Sequence, residues 1–455
     1  MPTSELHMNH PINNSENKWI ATWCLVAIYF CGWLAWRSGL PLEIDRNEAW
    51  NAWHTLNAFN PKDLYPSKSD LIVNNYPPLS FLFLKALSLG HDPVVFGRIV
   101  SILSVLAIGW CAGAIVKMFG ATAVVATISS LWCIAIFAGL FPGYVGMNDP
   151  NLLALAVMMA GVASFIRQSL RGQTAYGACA IMVVALFFKH SIIVFPAAVL
   201  LWQFGRDKQS AIRHLFFMSA LGGAGVMICF LIFGDAFFQQ LVFPRKMRLS
   251  SAARFFRKTP PLIPGLVMWW LWRRTATDNP AAKFTTILLP ISLVLNLVQQ
   301  CGAGVDYNAT FEFVIACVLA FGCSLNLASS NAWRFQLWSL FLLLAFSNRL
   351  EPFQFLSSSK YREEVQAQAL IFTSEVARVQ AIQGRVTCDV LLVCFRAGKA
   401  FEYDDFAMDQ RVATGAWDSS TVKREIESRN LQFQHIDERS IWNGKTFNAA
   451  LKGIF

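Results

Sequence analysis

The sequence predicts a mainly α, polytopic membrane protein. We expect a bundle of about eleven transmembrane helices, interfacial helices beside it, and a small C-terminal α/β domain. Three observations carry this expectation. The 455 residues are 55% hydrophobic and 14% aromatic, with a mean hydropathy of +0.43, far from a soluble chain that needs only a buried core. Apolar runs of bilayer-spanning length recur from Trp19 to Leu350. Beyond residue 349 those runs stop and the pattern becomes that of a water-soluble fold.

The first run, "WIATWCLVAIYFCGWLAW", has no small-residue cleavage site after it and only a weakly charged leader, so it reads as a retained span. Further spans are expected near 95–117, 120–140, 150–167, 174–188, 191–205, 214–233, 260–273, 282–301, 309–328 and 333–348. Basic loops stay cytoplasmic, and "RQSLRGQ", "RDKQSAIRH" and "WRRTATDNPAAK" fall on one side with the N-terminus. An odd number of spans then puts residues 349–455 outside. The loop "PRKMRLSSAARFFRK" (244–258) breaks this rule, because the count puts it outside despite Arg245, Lys246, Arg248, Arg254, Arg257 and Lys258. Either one span is miscounted or the cluster serves an anionic ligand. The expected domains are therefore 1–348, membrane-embedded with an external loop over 38–93, and 349–455, extracytoplasmic.

In that external loop, "NEAWNAWHTLNAF" carries apolar residues at helical spacing, which predicts a helix with its tryptophans at headgroup level. "PPLSFLFLKALSLG" is too short to span and opens with two prolines, which predicts a second interfacial helix. In the tail, "YREEVQAQALIFTSEVARVQAIQ" reads as an amphipathic helix. "RVTCDVLLVCF" and "LQFQHI" read as strands, with "SSTVKREIESRN" a helix between them. Eleven cysteines include no CxxC pair and no metal-type cluster with histidine. A strand between Cys388 and Cys394 would hold their Cα atoms too far apart, so no disulfide is expected there.

Ionisable residues gather at span ends on the outer side. Asp45 and Glu48 follow the first span, and a carboxylate there can take a proton from a hydroxyl. The competing account is an ordinary acidic loop. Asp149 opens the span in "MNDPNLLALAVMMAG", where Asn-Asp-Pro is also strong turn chemistry. Lys189 and His190 are embedded between apolar runs in "ALFFKHSIIVFP". Asp306, Tyr307, Asn308 and Glu312 lie at the outer end of another span. Together these cations suit a phosphate and these acids a hydroxyl.

The order of these pieces resembles the GT-C superfamily of integral membrane glycosyltransferases. The nearest branch holds dolichyl-phosphate-mannose protein mannosyltransferases and bacterial lipid A aminoarabinose transferases. The matching segments are "IDRNEAWNAW", "NNYPPLSFLFLKAL", "DPVVFGRIVSILSVLAIG", "MNDPNLLALAVMMAG" and "KHSIIVFPAAVLLW". The resemblance covers roughly residues 20–205 well and the rest loosely. The family's Asp-Glu pair aligns with Asn47-Glu48, and Asn is no base, so Asp45 is the favoured catalytic carboxylate, with Glu48 and Asp149 as the others. The resemblance implies inverting transfer of a sugar from a polyprenyl-phosphate donor to a hydroxyl of an envelope lipid, polysaccharide or protein. Lys189, His190, Arg245, Lys246 and Arg248 would hold the donor phosphate. Tyr76, Arg98, Asp306, Tyr307 and Asn308 would contact substrate. It implies no required metal or other cofactor, no nucleic-acid partner, and a place in a bacterial inner membrane with the N-terminus cytoplasmic and the C-terminal domain periplasmic. The rival readings are a transporter or lipid flippase, which calls for mid-span charges and paired broken helices, and a scaffold without activity.

Overall fold

The computed structural model describes residues 14–437 apart from 328 and 330, together with 439 and 442. The polar leader and the end of the expected C-terminal domain lie outside the described residues. The chain starts with α1 (Asn14–Ser38), the first apolar run. The external loop then folds into α2 (Asn47–Leu56), the one-turn α3 (Pro61–Leu64) and α4 (Leu79–Ser88), so both predicted short helices form. Next come α5 (Pro93–Met118), α6 (Ala123–Leu140) and α7 (Pro150–Leu170).

Their starts follow from local chemistry. Asp92 and Asp149 each stand before a proline that opens the helix, and each accepts the N–H two residues on, from Val94 and from Asn151. Helix α5 packs closely on α6 through its small residues. A Cβ on Gly113 would lie 2.0 Å from Ser130 Oγ and 2.5 Å from the Ala126 carbonyl, so only glycine allows that approach.

The next helices are α8 (Tyr176–Phe188), α9 (Val194–Arg206), α10 (Lys208–Phe233) and the short α11 (Asp235–Leu241). The basic loop follows, then α12 (Ile263–Arg273), α13 (Pro280–Gln300), α14 (Phe311–Ser324) and α15 (Ala332–Phe346). Each expected span coincides with a helix. Only seven, among the described residues, are long and apolar enough to cross a bilayer: Glu16–Ser38, α5, α6, α7, α10, α13 and Tyr307–Ser324. Helices α8 and α9 have 13 residues each, α12 has 11 and α15 has 15. At 1.5 Å per residue they reach only about 17–23 Å of a core roughly 30 Å thick. The expected count of eleven full spans therefore exceeds what helix length supports.

The C-terminal part comprises α16 (Leu350–Ser357), α17 (Ser359–Ala381), β1 (Val386–Cys388), α18 (Leu391–Arg396), α19 (Asp405–Ala413), α20 (Ser419–Ser428) and β2 (Gln432–Gln434). The two strands pair in parallel, with Val386 opposite Gln432. This corrects two expectations. Only the first three residues after Arg385 are strand, and the apolar run "LLVCFR" is helix. Because the chain turns at Asp389 and coils, Cys388 and Cys394 come to 5.8 Å between Cα atoms and form a disulfide.

This part shares its core with the external loop. Leu42, Ala49, Ala52 and Val94 pack in one cluster with Val365, Phe372, Val386 and Leu392, and Leu71 and Val73 pack with Tyr403 and Met408. Ion pairs Arg46–Asp405, Arg396–Asp92 and Arg429–Asp70 join the same two regions. The tryptophans of α2 consequently do not lie free in a headgroup layer. Trp50 Nε1 donates to Asp404 Oδ2 at 3.2 Å, and Trp53 packs on Phe401.

Candidate active site

The site is built around a buried ion pair. Arg98, in the second turn of α5, is 1% exposed, and Glu48, in the first turn of α2, is 0% exposed. Arg98 donates Nε to Glu48 Oε1 and Nη2 to Oε2, both at 2.7 Å. Its remaining N–H groups go to the carbonyls of Ser38, Leu40 and Leu42. Glu48 also accepts the backbone N–H groups of Ile44 and Asn148. Asn148 Nδ2 returns a bond to the Glu48 carbonyl, and Asn51 Nδ2 donates to the Asn148 carbonyl. A charge pair so fully desolvated is tolerated only when its hydrogen-bond capacity is met, as here. The node ties three segments together: the turn after α1, the start of α5 and the turn before α7. It thereby carries Asp45 and Asp149 to the same place.

That place is a cavity of about 1030 Å³. Asp45 and Arg46 line it from the turn after α1, and Tyr144 and Asp149 from the turn before α7. Lys189 and His190 enter from the turn between α8 and α9, and Arg245 and Arg254 from the basic loop. Asp306 and Asn308 come from the turn before α14, and Tyr76 from the external loop. Asp45 is half-buried and accepts the Asn47 N–H, while Asp149 is buried and caps α7. The Tyr144 hydroxyl donates to Asp306 at 3.3 Å.

Lys189 is held by Tyr76. Its Nζ donates to Tyr76 Oη at 3.1 Å and stands 4.2 Å above the centre of that ring. Burial works to lower its pKa, but Tyr76 and Asp149 outweigh burial and the net shift is upward, so Lys189 is a cation. His190 is pushed down to about 4, by desolvation first and then by Lys189 and Arg245. It is therefore neutral near pH 7 and adds no charge.

Several residues singled out in the sequence stand elsewhere. Glu48 and Arg98 do not line the cavity, because they occupy one another. Lys246 and Arg248 are exposed and outside it, although both have backbone bonds that fix their loop. Tyr307 is also outside the lining and lies 5.7 Å below Lys258. The basic loop itself is on the same side as the external loop and the C-terminal part, since all three wall one cavity.

The wall contributed by the C-terminal part was not anticipated. Asp389, Leu391, Asp404, Asp405 and Phe406 of the C-terminal part line the cavity, with Glu43 beside them. Asp405 pairs with Arg46, and Asp389 with His435. Glu43 Oε2 accepts the Leu392 N–H at 2.7 Å, yet burial pushes its carboxyl up to about 8. Asp404 is pushed up to about 6 by burial and then by neighbouring Asp405. The adjacent pair Asp404-Asp405 was the available sequence signal. Its separation from Asp45 by some 360 residues gave no local spacing to tie them together. Among the described residues, no group of three or more His, Cys, Asp or Glu is placed to hold a metal ion.

No protein-family model and no curated protein sequence matches the chain. The fold is similar to that of ArnT from Cupriavidus metallidurans bound to undecaprenyl phosphate, with a TM-score of 0.54 at 14% identity, over 90% of this chain and 81% of that one. Apo ArnT from the same organism matches equally, with a TM-score of 0.54 at 15% identity over the same shares. The chain has the ArnT fold. At this identity the ArnT likeness concerns the course of the chain, and the chemistry must be argued from the cavity.

Proposed function

We propose that the protein is an inverting membrane glycosyltransferase that uses a polyprenyl-phosphate sugar and delivers the sugar to a hydroxyl of an envelope molecule. The observation that carries this reading is the meeting of Asp45, Asp149, Lys189 and Arg245 in one cavity. The ArnT structure that holds undecaprenyl phosphate supports a lipid-phosphate donor. So does an apolar groove of about 350 Å³, lined by Leu79, Leu82, Phe187, Ile228, Ile232 and Phe233, which suits an isoprenoid chain. Phe187 lines that groove and Lys189, two residues on, lines the cavity, so a phosphate at Lys189 would leave its tail at the groove.

In the step we infer, the acceptor oxygen forms a bond to the anomeric carbon as the bond from that carbon to the phosphate oxygen breaks. The electron pair leaves with the polyprenyl phosphate, whose added charge Lys189 and Arg245 stabilise without proton transfer. The acceptor proton passes to Asp45. Attack opposite the leaving group inverts the configuration. Asp149 keeps Lys189 charged and orients the start of α7. Glu48 and Arg98 set the position of Asp45 and act as no base.

We place the cavity on the extracytoplasmic face of a bacterial inner membrane. The Cys388–Cys394 disulfide, which brackets the lining residues Asp389 and Leu391, supports this, since such bonds persist in oxidising compartments. The test is a proteoliposome assay with labelled polyprenyl-phosphate sugars and an envelope extract as acceptor source. Wild-type protein should transfer label and Asp45→Asn should not. Full turnover by Asp45→Asn removes Asp45 as base, and no turnover by the wild type with any such donor sinks the reading.

A further inference from the structure

The basic loop and the C-terminal part meet at one point, and that contact bears on the phosphate seat. Residues 246–248 lie antiparallel to 301–303: Arg248 N–H donates to the Cys301 carbonyl at 2.7 Å and Ala303 N–H to the Lys246 carbonyl at 2.8 Å. Helix α19 closes over this pair. Gln410 Oε1 accepts the Lys246 N–H at 3.1 Å. The ring of Phe406 lies against Gly304, whose φ of +72° favours glycine and where a Cβ would stand 2.2 Å from Phe406 Cζ. On the same ring sits the guanidinium of Arg245, 5.5 Å from its centre. Arg245 and Phe406 both line the cavity.

We infer that Phe406 is a positioning residue for the donor phosphate: its ring holds the Arg245 guanidinium in the cavity, and α19 clamps the backbone that bears it. The inference rests on the donor reading above. A long side chain on an exposed loop loses rotamer freedom when it binds an anion. An aromatic face that restrains it beforehand lowers that cost, and a cation held over a ring is itself favourable. Phe406 touches no reacting atom in this scheme and acts only through Arg245.

Equilibrium binding of labelled undecaprenyl phosphate to the detergent-solubilised full chain tests this. Phe406→Leu should weaken binding about fivefold, the scale of one lost cation–π contact. Phe406→Tyr, which keeps the ring, should bind as the wild type does. In an Arg245→Ala background, Phe406→Leu should add nothing. Equal weakening by Phe406→Leu with and without Arg245 overturns the inference, because the effect would then be general packing. Should the leucine variant not fold, Gln410→Ala serves in the same cycle, with non-additivity expected and additivity overturning. Failure of the wild type to bind the lipid phosphate overturns the donor reading, and this inference with it.

Discussion

Asp45 and Glu48 are three residues apart and face different surroundings. Asp45 lines the cavity, whereas Glu48 is enclosed with Arg98. Their substitutions should separate cleanly. Asp45→Asn should cut transfer by at least about 100-fold with an unchanged melting temperature, the range for losing a general base. Glu48→Gln should instead unfold or strongly destabilise the chain, by about 3–5 kcal/mol, because it leaves Arg98 charged and unpaired. A stable, inactive Glu48→Gln would contradict that division. Glu43 gives a pH signature. Its carboxyl is raised from 4.5 to about 8 by burial, partly offset by the Leu392 N–H. Between those values the folded chain keeps a proton that the unfolded chain has released. The Glu43 contribution to stability is thus fullest at low pH and falls as pH climbs through that window. Melting curves of Glu43→Gln should show a shallower slope across this window, the remainder belonging to raised carboxyls such as Asp404, and an unchanged slope would assign it wholly to those other groups. At this scale, Asp45, Asp149 and Lys189 were legible because each sits in a short motif at a span end. Glu43 was hidden, since nothing near it in sequence announces that Leu392 will cover it.

Helices were the most legible elements, because a long apolar run with an Asp-Pro start has few other outcomes. What failed was the short apolar run "LLVCFR", where periodicity does not separate a buried strand from a buried helical turn. That single misreading also hid the disulfide. The bond closes a loop of sequence separation six whose members Asp389 and Leu391 wall the cavity. Replacing Cys388 and Cys394 by Ser should cost about 2 kcal/mol by the chain-entropy relation for so short a loop. It should also raise the acceptor KM more than it weakens donor binding, since Asp389 and Leu391 line the cavity from the C-terminal part and Lys189 from the turn between α8 and α9. Thermal melts and steady-state kinetics of the double variant, with and without reductant, would check this. Wild-type behaviour under reductant would show that the loop holds its shape unaided.

For the whole molecule, the placement of the basic loop was the point on which charge counting and span counting disagreed. Arg245 and Arg254 line the same cavity as Asp306 and Asp405, which puts the loop on the side of the external loop and the C-terminal part. Compartment-sensitive reporters inserted near residue 250 and in the turn after α17 should therefore give the same response, and an extracytoplasmic one. Opposite responses would be incompatible with a shared cavity, and two cytoplasmic ones would move the proposed chemistry to the inner face. The general course of the bundle could be read from hydropathy alone. The way the tail folds back onto the loop after α1 could not, because it depends on contacts between residues more than 300 apart, such as Arg46 with Asp405.

That return of the tail has a consequence for biosynthesis. Asp45 emerges from the ribosome early, whereas Phe406 comes late in the 455-residue chain. A nascent polypeptide already threaded into the bilayer by its first helices still has an open-sided chamber, with Glu43 bared to water and Arg245 unsupported. For the proposed transfer the chamber is complete only once the tail has docked, so chains stalled partway through translation would accumulate as inserted but inert protein.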